Sequence, residues 1–365
     1  MAAGLSYYKI SMPLLTPFTT SFGTQTERIG YIFRLASGSV TAYSECVTGE
    51  EPHYSYEDNE TAMHVIRNFF SPMIADLPQP RVFMERASVI KGHNMAKAAL
   101  EMLLWDYHSR AEGIPLARRL GDSKGHADVG ISIGMDSVQD MVRRIGSAVE
   151  KGYRRIKVKV EKGKEFGILS AVRDSFPDIK LSADANTDYT LKDAELLKRL
   201  DRFNLVYMEQ PLGHDDLLDH SRLARQMATP ICLDESITDS AKAEQAFDMG
   251  ACSVINIKPG RVGGLTESLK VASVCAERGG HCWVGGMLET GVGRAFNISL
   301  ASQGNVDYPG DTSPNDRYFS RDIVDNPFHM VDGRIRPNDG PGTGIVVNGA
   351  YLSSVSLEQG SLLKP

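Results

Sequence analysis

IKVKV, at residues 156–160, is a short run of alternating apolar and basic residues, and five further runs follow it at a regular spacing. They are LSADAN (181–186), VYMEQP (206–211), ICLDES (231–236), VINIKP (254–259) and HCWVGG (281–286). The centres of successive runs lie 25, 25, 25, 23 and 27 residues apart, and helix-like segments such as LKDAELLKRL (191–200) separate them. A strand–helix repeat of this period predicts parallel strands joined by crossover helices. Seven or eight such units in about 190 residues favour a (β/α) barrel of the TIM type, with an open doubly wound sheet as the alternative.

The segments on either side of this repeat have a different character. Residues 1–122 mix strand-like runs, such as YYKISMPL (7–14), with helix-like runs, such as MAKAALEMLLWDYHSRAEG (95–113), which is typical of an α+β unit. Further on, NPFHMVDGRIRPNDGPGTGIVVN (326–348) is rich in Gly and Pro and breaks the strand–helix rhythm. We therefore expect a barrel at residues 123–320, capped by an α+β domain that residues 1–122 form together with a returning segment, 321–365.

The composition restricts the classes of function. The 365 residues are 42% hydrophobic and 24% charged, as in a globular protein with a large core. The formal net charge of -6, from 46 acidic and 40 basic residues, argues against a nucleic-acid-binding surface. No apolar run approaches the roughly 20 residues that span a bilayer, and the first residues do not have the pattern of a secretory signal. We expect a cytoplasmic protein without nucleic-acid or membrane partners.

Alternation along the strands places one charged side chain of each of five strands opposite the apolar face. These side chains are Lys159, Asp184, Glu209, Asp234 and Lys258. Because the apolar faces must meet the helices, the charged groups are predicted to point into the barrel near the carboxyl ends of the strands, where barrel enzymes carry their active sites. The alternative is a set of structural ion pairs. It is disfavoured because barrel interiors are normally apolar and desolvation offsets the attraction between buried charges.

The three carboxylates predict a metal site. Asp184, Glu209 and Asp234 come from three adjacent strands, so their oxygens can converge on one point. Carboxylates without His or Cys select a hard cation, and Mg²⁺ fits best, with Mn²⁺ as the substitute.

The two lysines predict acid–base chemistry. Lys159 lies one strand before the Asp184 strand and Lys258 one strand after the Asp234 strand, so a carbon acid held on the metal would lie between them. A base lysine needs a pKa that is lowered toward neutrality, which the metal and the neighbouring Lys157 could supply. The sequence therefore predicts abstraction of a proton next to a substrate carboxylate, with the metal stabilising the resulting enediolate.

Several motifs resemble those of a known family. KVKV (157–160), DAN (184–186), EQP (209–211), DES (234–236) and NIKPGRVGG (256–264) are similar to motifs of the muconate-lactonizing-enzyme-like group of the enolase superfamily. Closer still is the likeness to the o-succinylbenzoate synthase / N-succinylamino acid racemase family. It rests on GGMLETGVGRAFN (285–297), PGDTS (309–313), KGHNMAKAALEM (91–102) and TPFTTSFGTQ (16–25).

This resemblance implies a modified (β/α)8 barrel, (β/α)7β, and roles for individual residues. Lys159 and Lys258 would be the acid/base pair, supported by Lys157, and Asn186 would line the site. In o-succinylbenzoate synthesis, a step of menaquinone formation, Lys159 would remove the proton and help to expel hydroxide while Lys258 stays cationic. In racemisation the two lysines would act on opposite faces. The substrate would be a small, succinyl-bearing carboxylate, and a homo-oligomer is expected.

The resemblance also suggests residues around the substrate. The loop from Thr16 to Gln25, which contains Phe22, resembles a lid, and Tyr54 and Ser132 are candidate substrate contacts. In the loop after the seventh strand, Met287 would offer an adaptable apolar surface to the succinyl part, and Gly291 and Gly293 would permit close backbone approach. Glu235 follows a predicted metal ligand, and alternation points it away from the site, in a supporting position. AYSEC (42–46) departs from the Gly-x-Gly-Glu of many superfamily members and keeps only Glu45.

Other functions remain open at this point. Another racemase, epimerase or cycloisomerase of the same group, such as a dipeptide epimerase, would share the lysines and carboxylates but is disfavoured by GGMLETG (285–291). A phosphate-binding barrel lyase would use the same Gly-rich loop but leaves the three carboxylates unexplained. A non-catalytic scaffold would be signalled by loss of a ligand or lysine, and none is lost.

Overall fold

The computed structural model describes residues 3–20 and 23–364 of the chain. Its described N-terminal part consists of three antiparallel strands followed by four α-helices, with a π-helix (Ile66–Phe70) and a 3-10 helix (Ser71–Ile74) after the first of them. The strands are β1 (Gly4–Thr20), β2 (Gly23–Ser37) and β3 (Val40–Cys46), and the helices are α1 (Asn59–Val65), α2 (Pro80–Ala87), α3 (Asn94–Ala111) and α4 (Leu116–Leu120).

The middle of the chain alternates between strands and helices, as the repeat predicts. The strands are β4 (Ala127–Asp128), β5 (Gly130–Ile133), β6 (Arg155–Lys159), β7 (Leu181–Asp184), β8 (Met208–Glu209), β9 (Ile231–Leu233), β10 (Val254–Ile257) and β11 (His281–Val284). The helices between and after them are α5 (Val138–Glu150), α6 (Glu165–Ser175), α7 (Ala194–Lys198), α8 (Leu217–Ala224), α9 (Ser240–Asp248), α10 (Pro259–Val262), α11 (Leu265–Glu277) and α12 (Gly291–Ala301).

The C-terminal segment contacts both parts. It contains β12 (Arg334–Ile335), α13 (Gly349–Ser354) and β13 (Ser356–Leu363). Strand β12 pairs with β4, whereas β13 pairs antiparallel with β1 and completes a four-stranded sheet in the order β13-β1-β2-β3. The last strand of the chain thus adds to the N-terminal sheet.

The barrel is built from seven parallel strands, β5 to β11, each next to its neighbour in sequence. Residues 308–311 run between β11 and β5. Tyr308 N donates to Cys282 O at 3.1 Å, Asp311 N donates to Val284 O at 2.9 Å, and Gly310 O accepts from Gly130 N at 2.7 Å. This closing segment connects the two edge strands, so the predicted barrel is confirmed over the open sheet.

The two faces of the barrel strands differ as alternation predicts. Ile156, Val158, Leu181, Ala183 and Leu233 are buried in the large apolar cluster that the strands form with the surrounding helices. A separate small cluster of Tyr207, Cys232, Val254 and Trp283 lies on the opposite faces of their strands. The apolar residues therefore hold the helices, and the other faces are left for the interior.

The predicted lid differs from a simple loop. Its described residues belong to β1 and β2, which pair as far as Phe18↔Gln25, Thr19↔Thr24 and Thr20↔Gly23 beyond a register shift after Pro13. The Thr and Phe residues favour this extended pairing, which the turn-rich composition concealed. Phe22 lies outside the described residues.

Buried carboxylates join the cap to the barrel. Glu101, on α3, accepts hydrogen bonds from Leu265 N at 2.9 Å, Thr266 N at 2.8 Å and the indole of Trp105 at 2.7 Å. The side chain therefore satisfies backbone donors at the start of α11, which has no intrahelical acceptor for them.

Within the described chain, no helix combines the length and apolar character that a membrane span requires.

We expect Glu101→Ala to lower the free energy of unfolding by about 3 kcal/mol, because it leaves buried N–H groups without an acceptor. Thermal and urea unfolding followed by circular dichroism measure the change. Glu85→Ala is the control, since Glu85 is exposed and pairs with Arg81 on its own helix. Equal stability of the two variants would contradict the role of Glu101.

Candidate active site

The barrel register brings the predicted charged residues into one layer. Lys159 pairs with Asp184, and Asp184 pairs with Glu209 on the next strand. Glu209 pairs with Cys232 on β9. Asp234 comes two residues after Cys232, directly after the end of β9. The three carboxylate residues are almost completely buried, at 1%, 0% and 1% exposure.

Lys159 lies against the end of β7. Its Nζ donates to Asp184 Oδ2 at 2.6 Å and to Asn186 Oδ1. Burial raises the pKa of the Asp184 carboxyl, but Lys159 and Lys157 outweigh this effect and hold the pKa at about 2. Asn186 has a positive φ of 41°, and its amide donates to Glu235 Oε1 at 3.2 Å. This left-handed turn aims the Asn186 side chain back toward Lys159.

Lys258 lies on the opposite side, where the cap reaches the barrel. Its Nζ donates to Asp234 Oδ2 at 2.8 Å and to the hydroxyl of Tyr54 at 3.1 Å. Tyr54 in turn donates to Asp234 Oδ1 at 2.9 Å, which Arg261 also contacts. Burial lowers the pKa of Lys258, but Tyr54 and Glu235 more than offset it, so the pKa lies above its ordinary value. In this arrangement the raised pKa favours the ammonium form of Lys258.

Lys157 lies at the centre of the carboxylates. Its Nζ is 2.8 Å from Glu209 Oε2, 3.1 Å from Asp184 Oδ2 and 3.1 Å from Asp311 Oδ2, and it lies over the ring of Trp283. Burial lowers the pKa of this ammonium, but the three carboxylates raise it well above its ordinary value. Lys157 is therefore a fixed positive charge.

A cavity of about 510 Å³ connects these groups to the cap. The lining from the barrel and from the loop after β11 includes Ser132, Lys157, Lys159, Asn186, Lys258 and Met287, and the cap contributes Phe18 and Tyr54 among others. Ser132 Oγ is buried and has no hydrogen-bond partner among the described residues. Lys159 and Lys258 therefore both face the space that a small molecule in this cavity would occupy.

Two glycines that the sequence analysis assigned to the substrate are not among the described residues that line the cavity. Gly286, Met287 and Leu288 line the cavity, whereas Gly291 and Gly293 are not among the described residues that do. Gly293 N donates to Glu45 Oε2 at 3.1 Å, and a Cβ at Gly293 would collide with that carboxylate. At Gly293 the space is taken by Glu289 and Glu45, and at Gly291 it is taken by Val324 and Asp322.

Glu235 also differs from the prediction. Alternation points it away from the site, but its carboxylate contacts Asn186. The reason is that β9 ends at Leu233, so the alternation does not continue through Glu235. Burial raises the pKa of Glu235, and its second oxygen has no partner within the described ranges.

The three predicted metal ligands each contact a cation in this arrangement. Asp184 pairs with Lys159, Glu209 with Lys157, and Asp234 with Lys258. Across residues 3–20 and 23–364, no group of three or more His, Cys, Asp or Glu side chains has the arrangement of a metal site. The metal site stays a prediction that rests on the type and register of the side chains.

Sequence reasoning missed several residues that support this layer. Gln210, with a positive φ of 37°, accepts hydrogen bonds from Asp234 N at 3.0 Å and Ser236 N at 3.3 Å. Asn256 donates to Glu209 Oε1 at 2.8 Å. Arg261 and Asp311 lie outside the strands, on α10 and on the closing segment. All four residues lie within sequence motifs quoted above. Membership in these motifs was the signal that could have identified them.

Comparisons with known proteins agree with this geometry. Residues 6–121 match the family described as "Mandelate racemase / muconate lactonizing enzyme, N-terminal domain", and residues 140–351 match "Enolase C-terminal domain-like". The chain is 44% identical to an o-succinylbenzoate synthase from Geobacillus kaustophilus, with 95% of each chain covered. It is 43% identical to an N-succinylamino acid racemase from Amycolatopsis sp, with 97% of each covered.

Solved structures give the same result. An enolase-superfamily member from Listeria innocua superposes with a TM-score of 0.96 at 37% identity, with 99% of both chains covered. The fold, the charged layer and these relatives agree with one another. The chain therefore belongs to the o-succinylbenzoate synthase / N-succinylamino acid racemase family of the enolase superfamily.

Proposed function

We propose that this enzyme dehydrates a cyclohexadiene carboxylate to o-succinylbenzoate and also racemises N-succinylamino acids. Both reactions begin with removal of the proton next to a carboxylate. The observation that carries the proposal is that Lys159 and Lys258, from opposite sides of the charged layer, line the same cavity. The names of the relatives at 44% and 43% identity support the two substrates.

In the synthase reaction we assign different roles to the two lysines, as the family resemblance implies. Lys159 removes the α-proton as a neutral amine and then returns a proton to the departing hydroxide, which leaves as water. Lys258, whose pKa is raised above its ordinary value, stays protonated and stabilises the enediolate charge. Asn186 orients Lys159 through its side-chain oxygen.

Racemisation uses the same pair differently. One lysine removes the proton from one face of the α-carbon, and the other returns a proton to the opposite face. Their positions on opposite sides of the carboxylates favour this two-base arrangement.

The residues present fit Mg²⁺ as the cofactor, with Mn²⁺ as a substitute. Asp184 and Glu209, at the ends of β7 and β8, and Asp234, directly after β9, offer hard oxygen donors from three adjacent strands. These three residues would hold the metal, which when bound would supply charge stabilisation for the carboxylate and the enediolate.

The charge of the site supports a carboxylate substrate. The five cations Arg155, Lys157, Lys159, Lys258 and Arg261 are buried together with the carboxylates Asp184, Glu209, Asp234, Glu235 and Asp311. With all five carboxylates ionised the set is neutral, so a bound divalent cation would leave this charged layer net positive. A substrate with two carboxylates, such as a succinyl-bearing one, matches that charge, and we assign its succinyl part to the side of Met287.

Steady-state kinetics with both substrates tests the proposal. We expect turnover of the cyclohexadiene precursor and of an N-succinylamino acid, loss of both activities with a chelator, and recovery with Mg²⁺. The dipeptide L-Ala-L-Glu is the control substrate, for which we expect no epimerisation. Turnover that resists the chelator would contradict the metal assignment, and turnover of the dipeptide alone would favour an epimerase. The expected homo-oligomer and cytoplasmic location stay predictions from the sequence.

A further inference from the structure

Asp311 lies on the segment that closes the barrel and has no assigned part in the reaction above. Its backbone is held on both sides, because its N–H donates to Val284 O at 2.9 Å and its carbonyl accepts from Arg294 Nη1 at 2.7 Å. The side chain therefore projects from a fixed point toward the charged layer.

The Asp311 carboxylate bridges two buried cations. Oδ1 lies 3.0 Å from Arg155 Nη1, and Oδ2 lies 3.1 Å from Lys157 Nζ. Arg155 is itself fixed, because it donates to Pro309 O at 2.8 Å and lies 4.6 Å over the ring of Trp283. Arg155 therefore fixes the position of the Asp311 carboxylate.

The three carboxylates around Lys157 differ in whether they are proposed metal ligands. Glu209 and Asp184, at 2.8 and 3.1 Å, are proposed metal ligands, whereas Asp311 is not. An ammonium that donates to a carboxylate oxygen competes with a metal ion for the same lone pairs. When Glu209 and Asp184 turn their oxygens to a metal, Lys157 needs another carboxylate to balance its buried charge. Asp311 can balance the charge of Lys157 from the position that it already occupies.

We propose that Asp311 is a positioning residue for the metal site, which retains the Lys157 ammonium and thereby raises the affinity for Mg²⁺. The assignment rests on the proposed function, because it presupposes the three metal ligands. Without the Asp311 charge, Lys157 would stay against Asp184 and Glu209 and oppose binding of the metal.

Binding of Mn²⁺ in the absence of substrate, measured from the electron paramagnetic resonance signal of the free ion, tests the assignment without turnover. Asp311→Asn is expected to bind Mn²⁺ about 10- to 100-fold more weakly than the wild type, the range usual for residues that orient metal ligands. Asp307→Asn is the matched control. Asp307 lies just before the closing segment, but it pairs with His281 and is partly exposed, so wild-type affinity is expected.

A second background tests whether the effect passes through Lys157. In Lys157→Gln, the additional change Asp311→Asn is expected to have little effect on Mn²⁺ affinity, because there is no ammonium left to retain. An equal loss in both backgrounds would overturn the positioning role. Asp311→Glu keeps the charge but displaces it, and we expect an affinity between those of Asp311→Asn and the wild type.

The outcomes separate this assignment from the proposed function. Wild-type affinity in Asp311→Asn, or in Asp311→Glu if the Asn variant does not fold, would overturn the role of Asp311 and leave the metal site intact. A wild-type protein that binds no Mn²⁺ would overturn the proposed metal site and this role together.

Discussion

Replacement of Lys159 by alanine is expected to lower kcat for o-succinylbenzoate formation by about a thousandfold, within the range usual for loss of a general base. Lys159 contacts Asp184 and Asn186 and lines the cavity, so its amine is in position to reach a bound carbon acid. KM is expected to change little, because the metal and the remaining cations still bind the carboxylates. Steady-state kinetics at saturating Mg²⁺ measure both constants.

Lys162→Ala is the matched control for this variant. Lys162 lies three residues further along the chain, where its side chain is 53% exposed and pairs with Asp193. Its removal is expected to leave kcat unchanged. A Lys159→Ala enzyme with more than about a tenth of the wild-type kcat would exclude Lys159 as the base, since removal of a general base lowers rates about a hundredfold or more.

Replacement of Asp234 by asparagine has the second large expected effect. This carboxylate accepts hydrogen bonds from Lys258 at 2.8 Å and Tyr54 at 2.9 Å and also contacts Arg261. Neutralising it removes a proposed metal ligand and leaves two buried cations without their common partner. The Mg²⁺ concentration for half-maximal activity is expected to rise by about a hundredfold or more. The free energy of unfolding is expected to fall by about 3 kcal/mol.

Two measurements separate these effects. Mg²⁺ titration of activity reports the metal affinity, and thermal unfolding reports stability. Asp248→Asn is the control, because Asp248 is exposed and pairs with Arg278 on the surface. If Asp234→Asn required no more Mg²⁺ than the control, Asp234 would not be a ligand.

The charged layer could be predicted from the sequence because alternation holds within each strand. Lys157 and Lys159 lie within β6, and Asp184 and Glu209 are the last residues of β7 and β8, so their direction follows from the apolar residues beside them. The regular spacing of the strands predicted the barrel for the same reason. Local pattern was sufficient where the backbone is regular.

Asp234 and Lys258 directly follow β9 and β10 and were still placed correctly, but some other residues beyond the strand ends could not be placed in this way. Gln210 follows β8 in a left-handed conformation, and its contacts with Asp234 N and Ser236 N do not follow from alternation. Glu235 follows the end of β9, and alternation therefore assigned it to the wrong side. Resemblance identified some of these positions, but their contacts depend on the loop geometry.

Contacts between distant parts of the chain also could not be predicted from the sequence. Tyr54 reaches Lys258 and Asp234 from the cap, and Glu45 meets the start of α12 from β3. The glycines at 291 and 293 were therefore assigned to the substrate, although the side chains beside them are Val324 and Asp322 at Gly291 and Glu289 and Glu45 at Gly293. A single sequence contains no direct signal for such pairs.

The most direct test of the two-lysine account is exchange of the α-proton in deuterium oxide, followed by NMR for each enantiomer of an N-succinylamino acid that the wild type racemises. The wild type is expected to exchange both enantiomers. Lys159→Ala is expected to exchange only one enantiomer, Lys258→Ala only the other, and neither variant is expected to racemise. Exchange of both enantiomers at the wild-type rate in either variant would contradict the account.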